Sequence, residues 1–248
     1  MGDAMDELES WTDPDGLHLS CPSCWEDALT HGPIQGAPLP NGADIWIRTD
    51  NTRSAQLLLK HVSSGREWIA DWGYALPEDD FTLVLKAEGL EPNTAYTYTV
   101  ALEGGEKAGP FPIQTAPVLG ASGQFNIAFG SCSKFGAQPV FDTLAEHDLD
   151  LFLFVGDNHY GNTADEGSLR WYYQWAHGMA ARRPFMSQTP ILATWDDHDF
   201  TGNNTDGSAP GKETALQVFR HYWPNPASGT SSTEGTFFSN RLGDIEFF

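Results

Sequence analysis

Leu149-Asp150-Leu151-Phe152-Leu153-Phe154-Val155-Gly156-Asp157 (LDLFLFVGD, residues 149–157) is the stretch on which the fold turns. It is almost wholly apolar, too short for a buried helix, and stopped by glycine and a carboxylate. A strand covered on both faces reads this way, as strands of parallel sheets do. Two similar runs flank it: Phe125–Ser131 (FNIAFGS) and Pro190–Asp197 (PILATWDD). Helical patterns lie between and after them. Pro139–His147 (PVFDTLAEH) has Pro139 at a first helical position. Glu166–Ala181 is rich in Trp and Tyr, and Lys212–Tyr222 stops before Pro224. Thr236–Phe248 reads as a hairpin turning at Leu242-Gly243-Asp244. Strand and helix in alternation predict an α/β unit with a parallel sheet over residues 124–248.

Upstream the period changes to two. Ile45–Thr49 (IWIRT), Ala55–Val62, Glu67–Leu76, Phe81–Lys86 and Tyr96–Leu102 are separated by turn signals such as Ser63-Ser64-Gly65, Pro92-Asn93 and Gly104-Gly105. Short, evenly spaced strands of this kind predict an all-β sandwich over residues 44–118. Gly89–Tyr98 (GLEPNTAYTY) is similar to the tyrosine-bearing corner of fibronectin-III-like sandwiches. Residues 118–123 read as the boundary. Residues 1–43, rich in Pro, Gly, Asp and Ser, read as an irregular N-terminal segment.

The three apolar runs of the α/β part end in Gly130-Ser131-Cys132-Ser133, Gly156-Asp157-Asn158-His159-Tyr160 and Asp196-Asp197-His198-Asp199. The carboxyl ends of parallel strands share one rim, where sites form. Thiol, carboxylate, phenol and imidazole gathered on one rim are poorly explained by packing. An Asp196-Asp197 pair, if buried, needs a cation to stay ionised. Taken singly, Cys132 reads equally well as a small core residue, Tyr160 as packing, and His147 as a surface residue at a helix C-terminus. His159 falls on the opposite side from the ligand candidates, where it supports rather than ligates. Arg182 and Arg183 read as exposed, with a bidentate phosphate contact as the sharper alternative.

The 248 residues carry 34 acidic and 13 basic side chains, a net charge of −21, which excludes a nucleic-acid backbone as partner. No run of 18 apolar residues exists for a transmembrane helix. Met1–Ser10 (MGDAMDELES) has neither the basic nor the apolar region of a signal peptide. Cys21 and Cys24, with His18 and His31, offer a zinc-site alternative, although free thiols or a local disulfide fit the irregular segment better.

Gly130-Ser131-Cys132, Gly156-Asp157 with Tyr160, and Trp195-Asp196-Asp197-His198-Asp199 with Asn203-Asn204 resemble the alkaline phosphatase D (PhoD-like) family of calcineurin-like metallophosphoesterases. Gly32-Pro33 to Gly36 and Ile45-Trp46-Ile47-Arg48 resemble its N-terminal sandwich, so the resemblance spans about residues 30–248. It implies Fe3+ and Ca2+ and hydrolysis of small phosphate monoesters or diesters. It implies Cys132 and Tyr160 as anionic ligands to iron, Asp157 as a bridge between the metals, Asp197 as a metal ligand, Asn203 or Asn204 in a calcium shell, and His198 in contact with the phosphate; His198 and Asp196 are the catalytic candidates. The donor types agree, since thiolate and phenolate suit high-valent iron while carboxylate and amide oxygens suit calcium. The family is periplasmic or secreted. Its later Gly-Asp-x-His-type motif is not found after Asp199, so the resemblance implies an α/β part lacking its C-terminal portion, weak metal binding and poor turnover. Three other readings stand beside it: a non-catalytic sandwich binding module on a degenerate phosphoesterase, a phosphodiesterase acting on lipid or wall polymers through the same rim residues, and a zinc hydrolase using Asp157, His159 and His198. The oligomeric state is left open.

Overall fold

The computed structural model describes residues 27–248, together with the backbone of a short antiparallel pair, β1 (Trp11–Thr12) and β2 (His18–Leu19). Cys21 and Cys24 lie outside the described residues, as does the side chain of His18. His31 is a buried strand residue whose Nδ1 meets Thr30 Oγ1 at 2.9 Å.

Two antiparallel sheets face one another. One has the order β3-β4-β7, from Leu29–Gln35, Gly42–Thr49 and Thr82–Glu88; the other has β6-β5-β8-β9, from Glu67–Ala75, Arg53–His61, Ala95–Leu102 and Lys107–Gln114. Ile45, Ile47, Leu57, Leu59, Leu85, Tyr98 and Val100 meet in the core between them. Tyr96 caps that core at the corner after β7, where its hydroxyl accepts from the Glu91 amide at 3.0 Å.

β3 corrects one expectation. It lies inside the segment read as loop, and all seven of its residues are buried. Its Gly32 and Pro33 look like turn residues in sequence. β3 is an edge strand, however, paired only with β4 across two register shifts, and an edge tolerates a residue with no N–H.

β4 is covered on both faces. Alternation sends Ile45 and Ile47 into the two-sheet core and Trp46 the other way, into a second core with Phe141, Phe185, Tyr173, Phe219 and Tyr222. The Trp46 indole N–H donates to the His221 carbonyl at 2.6 Å. Tyr98 reaches across similarly, its hydroxyl donating to the Ser187 carbonyl at 2.6 Å.

The second core sits under a parallel three-stranded sheet of order β10-β11-β12, from Ile127–Gly130, Leu151–Val155 and Ile191–Thr194. Helices α1 (Val140–Leu144), α2 (Glu166–Gly178), α3 (Arg182–Gln188) and α5 (Lys212–Tyr222), with the single turn α4 (Asp197–Phe200), complete this part. The helix read as running to Ala181 ends at Gly178, and α3 follows as a separate helix. Central β11 explains its own sequence: Phe152 and Phe154 face the helices, while Leu151 and Leu153 face Leu192, Leu242 and Phe125. The hairpin β13 (Asn240–Leu242) and β14 (Ile245–Phe247) turns at Gly243 and closes that second face. Val155, at the rim end, is exposed. No helix among the described residues is long and apolar enough to cross a membrane.

Candidate metal centre

The ends of β10, β11 and β12 lie side by side because the strands are parallel and in register: Gly130 pairs with Phe154, and Val155 with Thr194. Backbone pairing continues past the strands. The Cys132 amide donates to the Gly156 carbonyl at 3.3 Å and the Ser133 amide to the Asp157 carbonyl at 2.8 Å. Both Cys132 (φ 59°) and Asp157 (φ 51°) sit in the left-handed region, which is costly for a cysteine and which functional sites tolerate when their surroundings enforce it. Gly156 (φ 97°) has no room for a side chain: an added Cβ would stand 2.6 Å from Asp196 Cβ.

This geometry puts Asp157 at the middle. Its Oδ2 lies 3.5 Å from Cys132 Sγ and accepts from the Tyr160 hydroxyl at 3.1 Å. Its Oδ1 is buried with no hydrogen-bond partner. One ligand atom each from Asp157, Asp197 and His198 lies within 4.8 Å of the other two. A buried carboxylate oxygen without a donor is costly unless something cationic meets it. The donors present, a carboxylate pair and an imidazole beside a thiol and a phenol, therefore fit a bound metal ion. Burial pushes the Tyr160 phenol above its ordinary range, and hydrogen bonds to Cys132 and Asp157 push it further. Without a cation it stays protonated and donates to Asp157; a cation is what would make it a phenolate.

His198 packs its ring against Tyr160, centroids 4.2 Å apart, and its Nδ1 meets Asn162 Oδ1 at 2.6 Å. Asn162 was not singled out from the sequence, because a contact across 36 residues leaves no local pattern. Asp197 accepts from the Asn204 backbone amide. Asn203 and Asn204 both lie in an exposed turn, which the Asn204 backbone amide joins to the cluster.

The premise of a buried Asp196-Asp197 pair is corrected. Asp196 is exposed and serves as the cap of α4: its side chain accepts from the Asp197 amide at 2.9 Å, and the Asp199 side chain returns to the Asp196 amide at 2.6 Å. The buried carboxylate is Asp199, which burial pushes up to about 7 even with donors from Asn158 and Asp196.

Arg182 also departs from expectation. It is fully buried, its guanidinium 4.5 Å from the Phe154 ring centre and 5.6 Å from those of Phe141 and Trp223. Burial lowers it to about 9. Arg183 is half-buried and donates to the Gly32 carbonyl at 3.4 Å. Neither guanidinium is joined to the cluster by a hydrogen bond to Asp157, Asp197 or His198. His159 is fully buried between Tyr172 and Tyr173, and desolvation, with Arg182 and His198 adding, lowers it to about 3. It stands outside the group formed by Asp157, Asp197 and His198. Cys132 is exposed rather than packed, and His147 is exposed as expected.

No protein-family model and no curated protein matches the chain in sequence. Solved structures do match in fold. PhoD aligns with a TM-score of 0.68 at 20% identity, over 85% of this chain and 49% of that one. Purple acid phosphatase PPD1 from yellow lupin (Lupinus luteus) seeds aligns with a TM-score of 0.59 at 14% identity, over 87% of this chain and 44% of the other. The chain thus shares the fold of these two proteins and spans about half the length of each.

Proposed function

We propose that the chain is part of a metal-dependent phosphoesterase of the alkaline phosphatase D type, acting on small phosphate monoesters or diesters. The observation that carries this reading is the convergence of Asp157, Asp197 and His198 within 4.8 Å at the rim, with Cys132 and Tyr160 both on Asp157. The fold shared with PhoD and the lupin phosphatase supports it. In this reading residues 44–118 support the site and residues 124–248 carry it, and the protein works in a periplasmic or secreted setting.

Cys132, Tyr160 and Asp157 would hold Fe3+, while Asp157, Asp197 and an oxygen of Asn203 or Asn204 would hold Ca2+. Such a pair, when bound, supplies positive charge to the phosphoryl oxygens and acidifies a bound water. The chain's own residues do the rest. Asn162 Oδ1 accepts from His198 Nδ1, which leaves Nε2 free to hold or deliver a proton at the leaving oxygen. Asp196 caps α4 and thereby aims Asp197 and His198.

The donor set is lean for two cations: among the described residues, one group of three His, Cys, Asp or Glu residues is close enough to share an ion. The chain should therefore bind metal weakly and turn over well below the ~10 s⁻¹ typical of enzymes. The test is a metal titration of the purified chain with hydrolysis of p-nitrophenyl phosphate and bis(p-nitrophenyl) phosphate. Saturable metal uptake and hydrolysis, both abolished by Asp157→Asn, are expected. A chain that takes up no metal and hydrolyses neither ester would sink the proposal.

One observation favours the binding-module alternative. Ile69, Trp72 and Tyr74 on β6 are 54%, 62% and 52% exposed, a larger apolar display than single surface residues give. A module of that kind would show partner binding unchanged by Asp157→Asn and no stoichiometric iron.

A further inference from the structure

Asn158 follows Asp157 in the chain and is buried, so its side chain cannot meet substrate. Both of its backbone groups and the Nδ2 of its side chain are bonded to the site's frame, while its Oδ1 is buried without a hydrogen-bond partner. Its backbone amide donates to Asp199 Oδ2 at 2.9 Å, and its Nδ2 donates to the same oxygen. Nδ2 also donates to the Thr194 carbonyl at 2.8 Å, at the end of β12. Its carbonyl accepts from Arg182 Nη1 at 3.4 Å, and the same nitrogen lies 3.5 Å from Ser133 Oγ, next to Cys132. The other oxygen of Asp199 accepts from the Asp196 amide at 2.6 Å, at the start of α4. Asp199 is fully buried, as is Arg182.

The consequence is geometric. Fixing both the amide and the carbonyl of Asn158 fixes the peptide planes on either side of it, and the first of those planes ends Asp157. Asp157 is thereby kept in its left-handed conformation, facing Cys132 and Tyr160. One carboxylate, that of Asp199, grips the β11 end through Asn158 and the β12 end through Asp196. The spacing between Asp157 on one side and Asp197 with His198 on the other is set by that grip.

We propose that Asn158 and Asp199 form a buried brace that positions Asp157 against Asp197 and His198, with Arg182 tying the Cys132 loop to the same point. They are positioning residues, and the inference rests on the metal-centre reading above. Partners of this kind, mutated, typically weaken metal binding about 10- to 100-fold.

The experiment titrates the whole chain with iron(III), supplied as its nitrilotriacetate complex. The phenolate-to-iron absorption band reports binding, at a temperature where every protein is folded by circular dichroism. Asn158→Ala, Asp199→Asn and the double variant are compared with wild type. Tyr98→Phe serves as a variant destabilised far from the site. Each single variant should bind iron about 10- to 100-fold more weakly or lose the band. The double variant should be no worse than the weaker single, because the two act through one another. Tyr98→Phe should bind as wild type does. Iron binding by Asn158→Ala within about twofold of wild type, or losses that add in the double variant, would overturn the brace. Should Asn158→Ala fail to fold, the near-isosteric Asp199→Asn decides by the same criterion. A wild-type chain with no band overturns the metal-centre reading and the brace with it, whereas a wild-type band retained in the variants overturns the brace alone.

Discussion

Replacing Asp80 with Asn should unfasten the two-sheet part from the helices beneath the parallel sheet. Asp80 sits in the left-handed region (φ 54°), which Asn tolerates, so the change removes charge with little backbone cost. The carboxylate takes Nε and Nη2 of Arg48 on β4 at 3.2 and 3.3 Å, Nε2 of Gln174 on α2 at 2.9 Å, and the hydroxyl of Tyr222 on α5. Arg170 adds a longer contact at 3.6 Å. The Arg48 side chain is only 6% exposed, against 15% for Asp80, so the variant leaves a buried guanidinium with a neutral amide. Removing one partner of a buried pair costs about 3–5 kcal/mol. Because Arg170 and residual solvent soften the loss, the lower end, about 3 kcal/mol, is expected. At about 2–4 °C per kcal/mol for a chain of this size, Tm should fall by about 6–12 °C. Differential scanning calorimetry across pH gives a second check. Burial pushes the Asp80 carboxyl up, but the Arg48 charge and the hydrogen bonds from Arg48, Tyr222 and Gln174 outweigh it, leaving it below its ordinary 3.8. A depressed carboxyl contributes stability that is full above the unfolded value and fades as pH falls through the folded one. The gap between wild type and Asp80→Asn should therefore be full near neutrality and close in acid below 3.8. A Tm within about 2 °C of wild type at neutral pH, a loss below about 1 kcal/mol, would refute the claim that this network fastens the two parts.

Three further outcomes are expected. Gly156→Ala places a Cβ 2.6 Å from Asp196 Cβ at a φ of 97°, so it should cost about 1–3 kcal/mol of strain and shift Asp157; urea unfolding reads the first effect and metal titration the second. Phe185→Ala, fully buried among Phe141 and Phe152, should lose about 3–5 kcal/mol in the same unfolding assay. His177 is held neutral by burial, with Arg182 adding, well below its ordinary 6.5, so the unfolded chain takes up its proton first and stability falls as pH drops below 6.5. His177→Gln should flatten that part of the Tm–pH curve, and an unchanged slope would show that this histidine does not carry it.

The order of elements was legible because it is local. Alternation marks Ile45–Thr49 and Tyr96–Leu102, and an unbroken apolar run marks Leu151–Val155, since periodicity reports which faces of a strand are covered. The rim residues were legible for the same reason: Cys132, Asp157 and Asp197 each follow a strand, and parallel strands must end together. Their sequence neighbours were misjudged. Asp196, Asp197 and Asp199 look equivalent in the chain, yet a single helical turn exposes Asp196 as a cap and buries Asp199 against Asn158. Arg182 looks like a surface residue beside Arg183, and only the packing of α3 under Phe154 and Trp223 shows otherwise. The pairings Asn158–Asp199, His198–Asn162 and Trp46–His221 span 41, 36 and 175 residues. Which residues reach the rim is therefore legible in short stretches of chain, because strand period and direction are local properties. The tertiary structure alone decided which of them face one another and which brace the rest, because that depends on how distant segments are brought into contact and shut off from water.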